Sequence, residues 1–291
     1  MKFRAHETFF IRKGWLNKGM KHIVACADLF SNRNINPMDT LGIGSNMVKS
    51  LRYWLQAVGV TEEVRSPKRM QDLTSLGKII LKEDPYIEEM GTLWLLQYNL
   101  GRSVDLATSW YYFFNEFPLN EFTKEDFIIG ITNFTKLHNE TVSVRSIEDD
   151  FNCIINTYIP RYKMNLAKIN PEDNMDCPLG ELGLIRVENA KEKLYRKMSP
   201  LKDTISPYIL IACILMQEKN VTEIPLQKIL YTCGSVGRIF NLDTISLMDI
   251  LNQAETQGLV SVVRTAGLDV LKIRKDLTYT GCILDYYAQL H

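Results

Sequence analysis

Between residues 45 and 58 the apolar side chains Met47, Val48, Leu51, Trp54, Leu55 and Val58 recur at intervals of three and four. That spacing aligns them on one stripe of an α-helix and leaves the opposite stripe polar. The preceding residues punctuate the chain. Pro37 fits the first position of a short helix over 36–41, and Gly42-Ile43-Gly44 fits a tight turn, since glycine accepts positive φ without steric cost. Ser45 is expected to cap the helix that follows. The three-and-four recurrence continues through most of the chain. It predicts helices over 15–29, 85–100, 106–117, 124–137, 146–159, 207–219, 225–231 and 246–257, with a break at Gly101-Arg102-Ser103. Strand signals are few. The clearest is a pair of β-branched runs, 259–265 and 268–274, around Ala266-Gly267, which predicts a hairpin. The stretch 165–178, with two prolines and an acidic cluster, reads as a surface loop. The expected fold class is mainly α.

The polar stripe of the 45–58 helix carries Ser45, Lys49, Arg52 and Gln56, flanked by Asn46 and Tyr53. A helix after a short turn, with one buried face and one face of cations and amides, suits the DNA major groove. Lys and Arg neutralise phosphates or read guanine, and Asn and Gln pair with adenine edges. Arg65, Lys68 and Arg69 follow where a basic wing would lie, and Leu73-Thr74-Ser75-Leu76-Gly77 opens another helix capped by Thr74 or Ser75. The order helix, helix, wing, helix predicts a winged helix-turn-helix over residues 1–84. Residues 206–285 repeat that order, with a long turn over 232–243, so a second winged unit is expected over 205–291. A helical middle region over 85–204 joins the two. In the second unit the presumed reading helix buries Leu247, Ile250, Leu251 and Ala254 but exposes Asp249, Asn252, Gln253, Glu255 and Thr256. Acidic groups there repel phosphates, so that unit is expected to pack on a partner protein or on the rest of the chain; DNA contact by its wing alone, through Arg264, Lys272, Arg274 and Lys275, is the lesser alternative.

Charge distribution agrees with this division. The chain of 291 residues is formally neutral, yet residues 1–70 hold 12 Lys+Arg against 5 Asp+Glu, a net +7, so the remainder carries −7. A zero total that hides a basic block does not argue against a nucleic-acid partner. The basic block includes an N-terminal arm, where Arg4, Arg12 and Lys13 alternate with Phe3, Phe9, Phe10 and Trp15. Such an arm can lie along a phosphate backbone; the aromatics more simply anchor it in the core. His6-Glu7 is a possible acid–base pair, but adjacent side chains point apart. With 46% hydrophobic and 23% charged residues the chain reads as globular. Its longest apolar run, 205–216, is too short to span a bilayer and holds Pro207. The first residues lack the apolar core of a secretion signal, so the expected location is the cytoplasm. Six cysteines without a C-x-x-C pair and four histidines do not suggest a disulfide framework or a zinc site. No phosphate-loop, dinucleotide-binding or nucleophile-elbow motif occurs. Glu148-Asp149-Asp150 could hold Mg²⁺ in a nuclease, although one acidic triplet in a helix reads more simply as a solvated face.

The stretches FRAHETFFIRKGWLNKG at the start, DTLGIGSNMVKSLRYWLQAVGV, LTSLGKIILKEDPYIEEMGTLWLLQYNL and DCPLGELGLI together resemble the bacterial domain of unknown function 4007 family over most of the chain. The resemblance implies an accessory component encoded beside DNA sulfur-modification (phosphorothioation) and phage-defence genes. It brings no catalytic residues, cofactor or metal with it. The resulting expectation is a DNA-binding accessory protein with no assigned cofactor or catalytic group. Its double-stranded DNA contacts would be Arg4, Arg12, Lys13, Ser45, Asn46, Lys49, Arg52, Tyr53, Gln56, Arg65, Lys68 and Arg69, and a second protein of the modification or restriction system would be its partner. The alternatives are a protein-interaction adaptor and a metal-dependent nuclease using Glu148, Asp149 and Asp150.

Overall fold

The computed structural model describes residues 1–65, 69–160, 177–218, 221–265 and 268–290. All but the last two residues of the expected loop over 165–178, together with Lys68, lie outside this set. About half of the chain is helical, and the described strands form three small antiparallel sheets.

The first third holds α1 (Trp15–Ala25), α2 (Pro37–Leu41), α3 (Ser45–Ala57), an antiparallel pair β1 (Thr61–Arg65) and β2 (Arg69–Leu73), and α4 (Ser75–Glu83). Local chemistry sets most of the boundaries. The Asn36 side chain accepts from the Met38 N–H at the start of α2, Pro37 takes the first helical position, and Gly42, at φ 61°, ends the helix. The start of α3 departs from expectation. Gly44, not Ser45, is the N-cap, and it has no side chain to offer, so the first-turn amides of α3 lack a side-chain cap. Thr74 caps α4 through the Gly77 N–H. Gly77 lies so close to the turn before β1 that a Cβ there would sit 2.0 Å from the Val60 carbonyl oxygen.

The middle is built around α5 (Met90–Arg102), in which every residue from Gly91 to Gly101 is buried. The expected break over Gly101-Arg102-Ser103 is present, but it falls at Ser103, so Gly101 itself is still helical. Burial on all sides holds the helix through the glycine, whose missing Cβ admits Ile239 and whose carbonyl accepts from Asn115 Nδ2 at 2.9 Å. The buried polar groups of α5 are satisfied within the fold. Thr92 Oγ1 donates to Asp84, Gln97 Nε2 donates to the Ile239 carbonyl, and Gln97 Oε1 accepts from Tyr158. Around α5 lie α6 (Thr108–Asn115), α7 (Lys124–Leu137), α8 (Val144–Tyr158) and a 3₁₀ turn, Pro178–Leu182. The middle is not wholly helical as expected. A sheet in the order β3 (Glu121–Phe122), β5 (Leu194–Lys197), β4 (Ile185–Asn189) crosses it. Strands this short, with a register shift between Val187 and Asn189, erase the period-two alternation that would have revealed them.

The last third runs α9 (Pro207–Gln217), β6 (Glu223–Pro225), α10 (Leu226–Tyr231), α11 (Val236–Ile239), α12 (Thr244–Thr256), β7 (Val260–Thr265), β8 (Leu268–Ile273) and α13 (Tyr279–Ala288). The predicted hairpin is present and gains β6 on the outer edge of β8, while α11 occupies part of the turn expected over 232–243. Leu247, Ile250, Leu251 and Ala254 are the buried face of α12, as their spacing predicts. Thr278 caps α13 through the Gly281 N–H, the device Thr74 uses at α4. The last helix is tied to the start of α5: Gly91 N–H donates to Tyr286 Oη at 3.0 Å, and Thr92 shares a 2.6 Å hydrogen bond with Tyr287. One cluster of buried apolar side chains extends from Ile11 to Tyr287. Among the described residues no helix is long and apolar enough to cross a membrane.

Candidate nucleic-acid interface

Three residues at the start of α3, Ser45, Asn46 and Lys49, are exposed. Lys49 Nζ lies 3.4 Å from Asn46 Oδ1 and 3.9 Å from Glu7 Oε1, a loose pair on an open surface. Together with the uncapped amides of the first turn, they form a small positive pole facing solvent.

The second half of the same stripe is engaged internally. Arg52 Nη2 donates to Glu63 Oε1 at 2.6 Å, and Gln56 Nε2 reaches the same oxygen at 3.3 Å. Arg69 Nε donates to the other Glu63 oxygen at 2.7 Å. Glu63 thus ties α3 to both strands of the hairpin and offsets two of the expected DNA-facing cations. Burial pushes its carboxyl pKa upward, but the hydrogen bonds from Arg69 and Arg52 outweigh this and leave it below the ordinary glutamate value. The stabilisation from this cluster is therefore present above the unfolded-state pKa and is lost as pH falls through the lower folded-state value. Glu63→Gln should cost about 1–2 kcal/mol at pH 7, a figure discounted because Arg69 is half exposed, and should flatten the acid limb of the stability curve. An acid limb that superposes on the wild-type curve would show that the cluster contributes no linked stability.

Tyr53 is corrected outright: it is buried, not solvent-facing. The N-terminal arm lies along this side of α3. The Phe9 carbonyl accepts from Trp54 Nε1 at 2.8 Å and from Ser50 Oγ at 3.3 Å, and the His6 ring stacks on Trp54 at 6.1 Å with Tyr53 alongside. Burial, and then the Asp150 charge, push the Tyr53 phenol well above its ordinary pKa.

The arm is itself fastened to α8. His6 Nε2 meets Asp150 Oδ1 at 2.7 Å, the Arg4 N–H donates to the same oxygen at 2.8 Å, and Ser109 Oγ donates to Oδ2 at 2.5 Å. The Thr8 N–H donates to His6 Nδ1, so the ring proton sits on Nε2 and points at Asp150. His6, Ser109 and Asp150 are all buried. His6 thus pairs with a residue 144 positions away and not with Glu7. The acidic triplet is not one solvated face either. Successive helical residues turn by about 100°, and the three carboxylates separate accordingly: Glu148 to Lys124 at 3.3 Å, Asp149 to Arg4 Nε at 2.8 Å, and Asp150 into the core. Among the described residues no group of three or more His, Cys, Asp or Glu is placed to hold a metal ion.

The remaining arm cations are also occupied. Arg12 lies against the rings of Phe9 and Trp15, at 5.7 and 5.4 Å from their centroids, and Lys13 is 3.6 Å from Glu88. Arg65 contributes its backbone to β1, its side chain being outside the described set, as is all of Lys68. Sequence reasoning missed Glu63 and Asp150 as organisers. The only local signal for Glu63 was an acidic pair inside a basic segment, and none existed for Asp150.

Toward the C-terminus of the chain, α12 has the opposite electrostatics. Asp243 caps it, its carboxylate accepting from the Ser246 N–H, and Asp249, Asn252, Gln253 and Glu255 are exposed. Two wing cations are paired, Lys272 with Glu223 at 2.9 Å and Arg274 with Asp276 at 2.6 Å.

A family model described as a protein of unknown function, DUF4007, matches residues 3–287. A crystal structure of SspB with a magnesium ion bound is similar over 99% of this chain and 88% of its own, at 26% identity and a TM-score of 0.86. A second SspB crystal structure is similar over 99% and 87%, at 26% identity and a TM-score of 0.82. No functionally curated protein matches the sequence.

Proposed function

The chain belongs to the DUF4007 family, and from that premise we propose that it is a DNA-binding accessory protein of a bacterial DNA-modification or phage-defence system. Its reading element is a winged helix-turn-helix formed by α1–α4 and the β1–β2 hairpin. One observation carries the reading: the uncapped start of α3 presents free amides with Ser45, Asn46 and Lys49 to solvent. A helix N-terminus with a lysine one turn in is a phosphate or base-edge contact without further rearrangement. The contact set is narrower than the sequence suggests. Ser45, Asn46 and Lys49 make the first contacts, and Arg52 and Arg69 join only as far as they exchange Glu63 for a phosphate. α12, with an acidic cap and acidic exposed groups, suits a protein partner of the same system, and the exposed Ile245 and Leu201 beside it add apolar area to such a contact.

The experiment is a gel-shift titration of duplex DNA, with and without phosphorothioate, at several salt concentrations. Lys49→Ala should weaken binding to all sequences and lower the salt slope by about 1 for the lost phosphate contact. Asn46→Ala should weaken binding with little change in slope. Identical curves for wild type and Lys49→Ala would refute the reading. The magnesium in the similar SspB structure favours a second reading, a divalent-metal-dependent cleavage of the bound DNA. The triplet Glu148, Asp149 and Asp150 does not fit the ion, because each carboxylate is already engaged in a different direction. Cleavage that appears in the same titration with Mg²⁺ and disappears with EDTA would establish that reading on residues other than these.

A further inference from the structure

A cleft of about 670 Å³ opens between the middle sheet and the α10–α12 region, far from α3 in sequence. Lys197, at the end of β5, and Arg238, in α11, both line it. Lys197 Nζ is held by two carbonyl oxygens, Phe113 at 2.7 Å and Phe117 at 2.8 Å, and lies 4.7 and 5.2 Å from the centroids of those rings. An ammonium has three N–H donors, so this cradle leaves one unused. Arg238 donates Nε to the Tyr231 carbonyl, which leaves its two terminal nitrogens. Among the described residues neither cation has a carboxylate partner. Burial, and to a lesser extent the Arg238 charge, lower the Lys197 pKa to about 7, so an anion bound beside it would draw the proton back onto the amine.

The carboxylates at the rim are already committed. Glu121 pairs with Arg196, and Asp243 caps α12. Neutral donors, Asn120, Ser199 and the Thr244 hydroxyl, also line the cleft. Two cations without a counter-ion, one of them rigidly cradled, favour an anion with several oxygens that can accept from both at once.

The geometry points to a phosphate-binding site in this cleft, with Lys197 and Arg238 as its two cationic arms. Such a phosphate arrives either on a small phosphorylated compound or as the 5′-terminal phosphate of a nucleic-acid strand. The site is independent of the α3 reading, and it stands or falls without it.

Isothermal titration of the full chain with pyrophosphate, with a short 5′-phosphorylated single strand, and with the same strand lacking the phosphate tests this. Arg238 is exposed, so Arg238→Ala leaves the fold intact, and it should weaken binding of the phosphorylated probes roughly tenfold or more. Lys197→Gln, checked for folding by its melting curve, should do the same. Lys49→Ala should leave the pyrophosphate affinity unchanged, which separates this site from the one on α3. Binding of pyrophosphate alone assigns a small phosphorylated compound, and binding of the phosphorylated strand alone assigns a nucleic-acid end. If neither phosphorylated probe binds, if the unphosphorylated strand binds as well as the phosphorylated one, or if Arg238→Ala binds as the wild type does, the assignment is wrong.

Discussion

Asp150→Ala should lower the unfolding free energy by about 3–5 kcal/mol. The carboxylate accepts from two buried donors, His6 Nε2 and Ser109 Oγ, and from the part-buried Arg4 N–H. Truncation leaves the two buried donors unsatisfied, at roughly 1–3 kcal/mol each, and frees the Arg4 N–H. Asp150→Asn should be much milder. Its amide oxygen can still accept from Arg4 and His6, and its NH₂ can donate to Ser109, which then turns from donor to acceptor. The two variants together separate hydrogen bonding from volume. Urea unfolding reads the difference as a shift in midpoint at constant slope. Limited trypsin digestion should show early cleavage after Arg12 and Lys13 in the alanine variant alone, because the arm has lost its fastening. A midpoint for Asp150→Ala close to that of the wild type would mean that the arm is held by other contacts.

Trp54→Ala is the second large effect, at about 3–5 kcal/mol. The indole is fully buried and sits where three parts of the chain meet. It donates Nε1 to Phe9 in the arm, stacks on His6, and meets Trp110 of α6 edge-on at 5.3 Å. Its removal opens a cavity and leaves the Phe9 carbonyl with only the longer hydrogen bond from Ser50 Oγ. Because Trp54 and Asp150 both act by holding the arm, the double variant should lose less than the sum of the two singles, with a coupling of about 1 kcal/mol or more. Strict additivity would show that the two residues stabilise separate parts of the fold. Trp54→Phe, which keeps the ring contacts but not the N–H, should fall between wild type and alanine.

Much of the local architecture was legible in the sequence. The stripe from Met47 to Val58 specified α3, and residues 124–137 were bounded correctly because Thr123 and Asp126 form a reciprocal capping box at the start of α7. Thr74 announced the helix it caps. Each of these signals is carried by residues within one or two turns of one another, and hydrogen bonds at that range depend on little else. The sheet β3-β5-β4 was not legible, since strands of two to five residues hold too few side chains to show a period.

The chemistry of the α3 face was only half legible, for a different reason. The sequence by itself determined that Ser45, Asn46, Lys49, Arg52 and Gln56 share a stripe, because helical geometry fixes that spacing. It also determined that the first 70 residues are basic and that α12 is not. Only the tertiary structure decided which of those cations are free. Arg52 and Arg69 meet Glu63 across a strand pair, Tyr53 is covered by an arm that begins more than forty residues earlier, and that arm is held by Asp150. Such pairings depend on where the chain returns in space, and no periodicity in the sequence encodes the return. Burial then fixes their consequence: a charge that finds its partner inside the fold is no longer available to a ligand outside it.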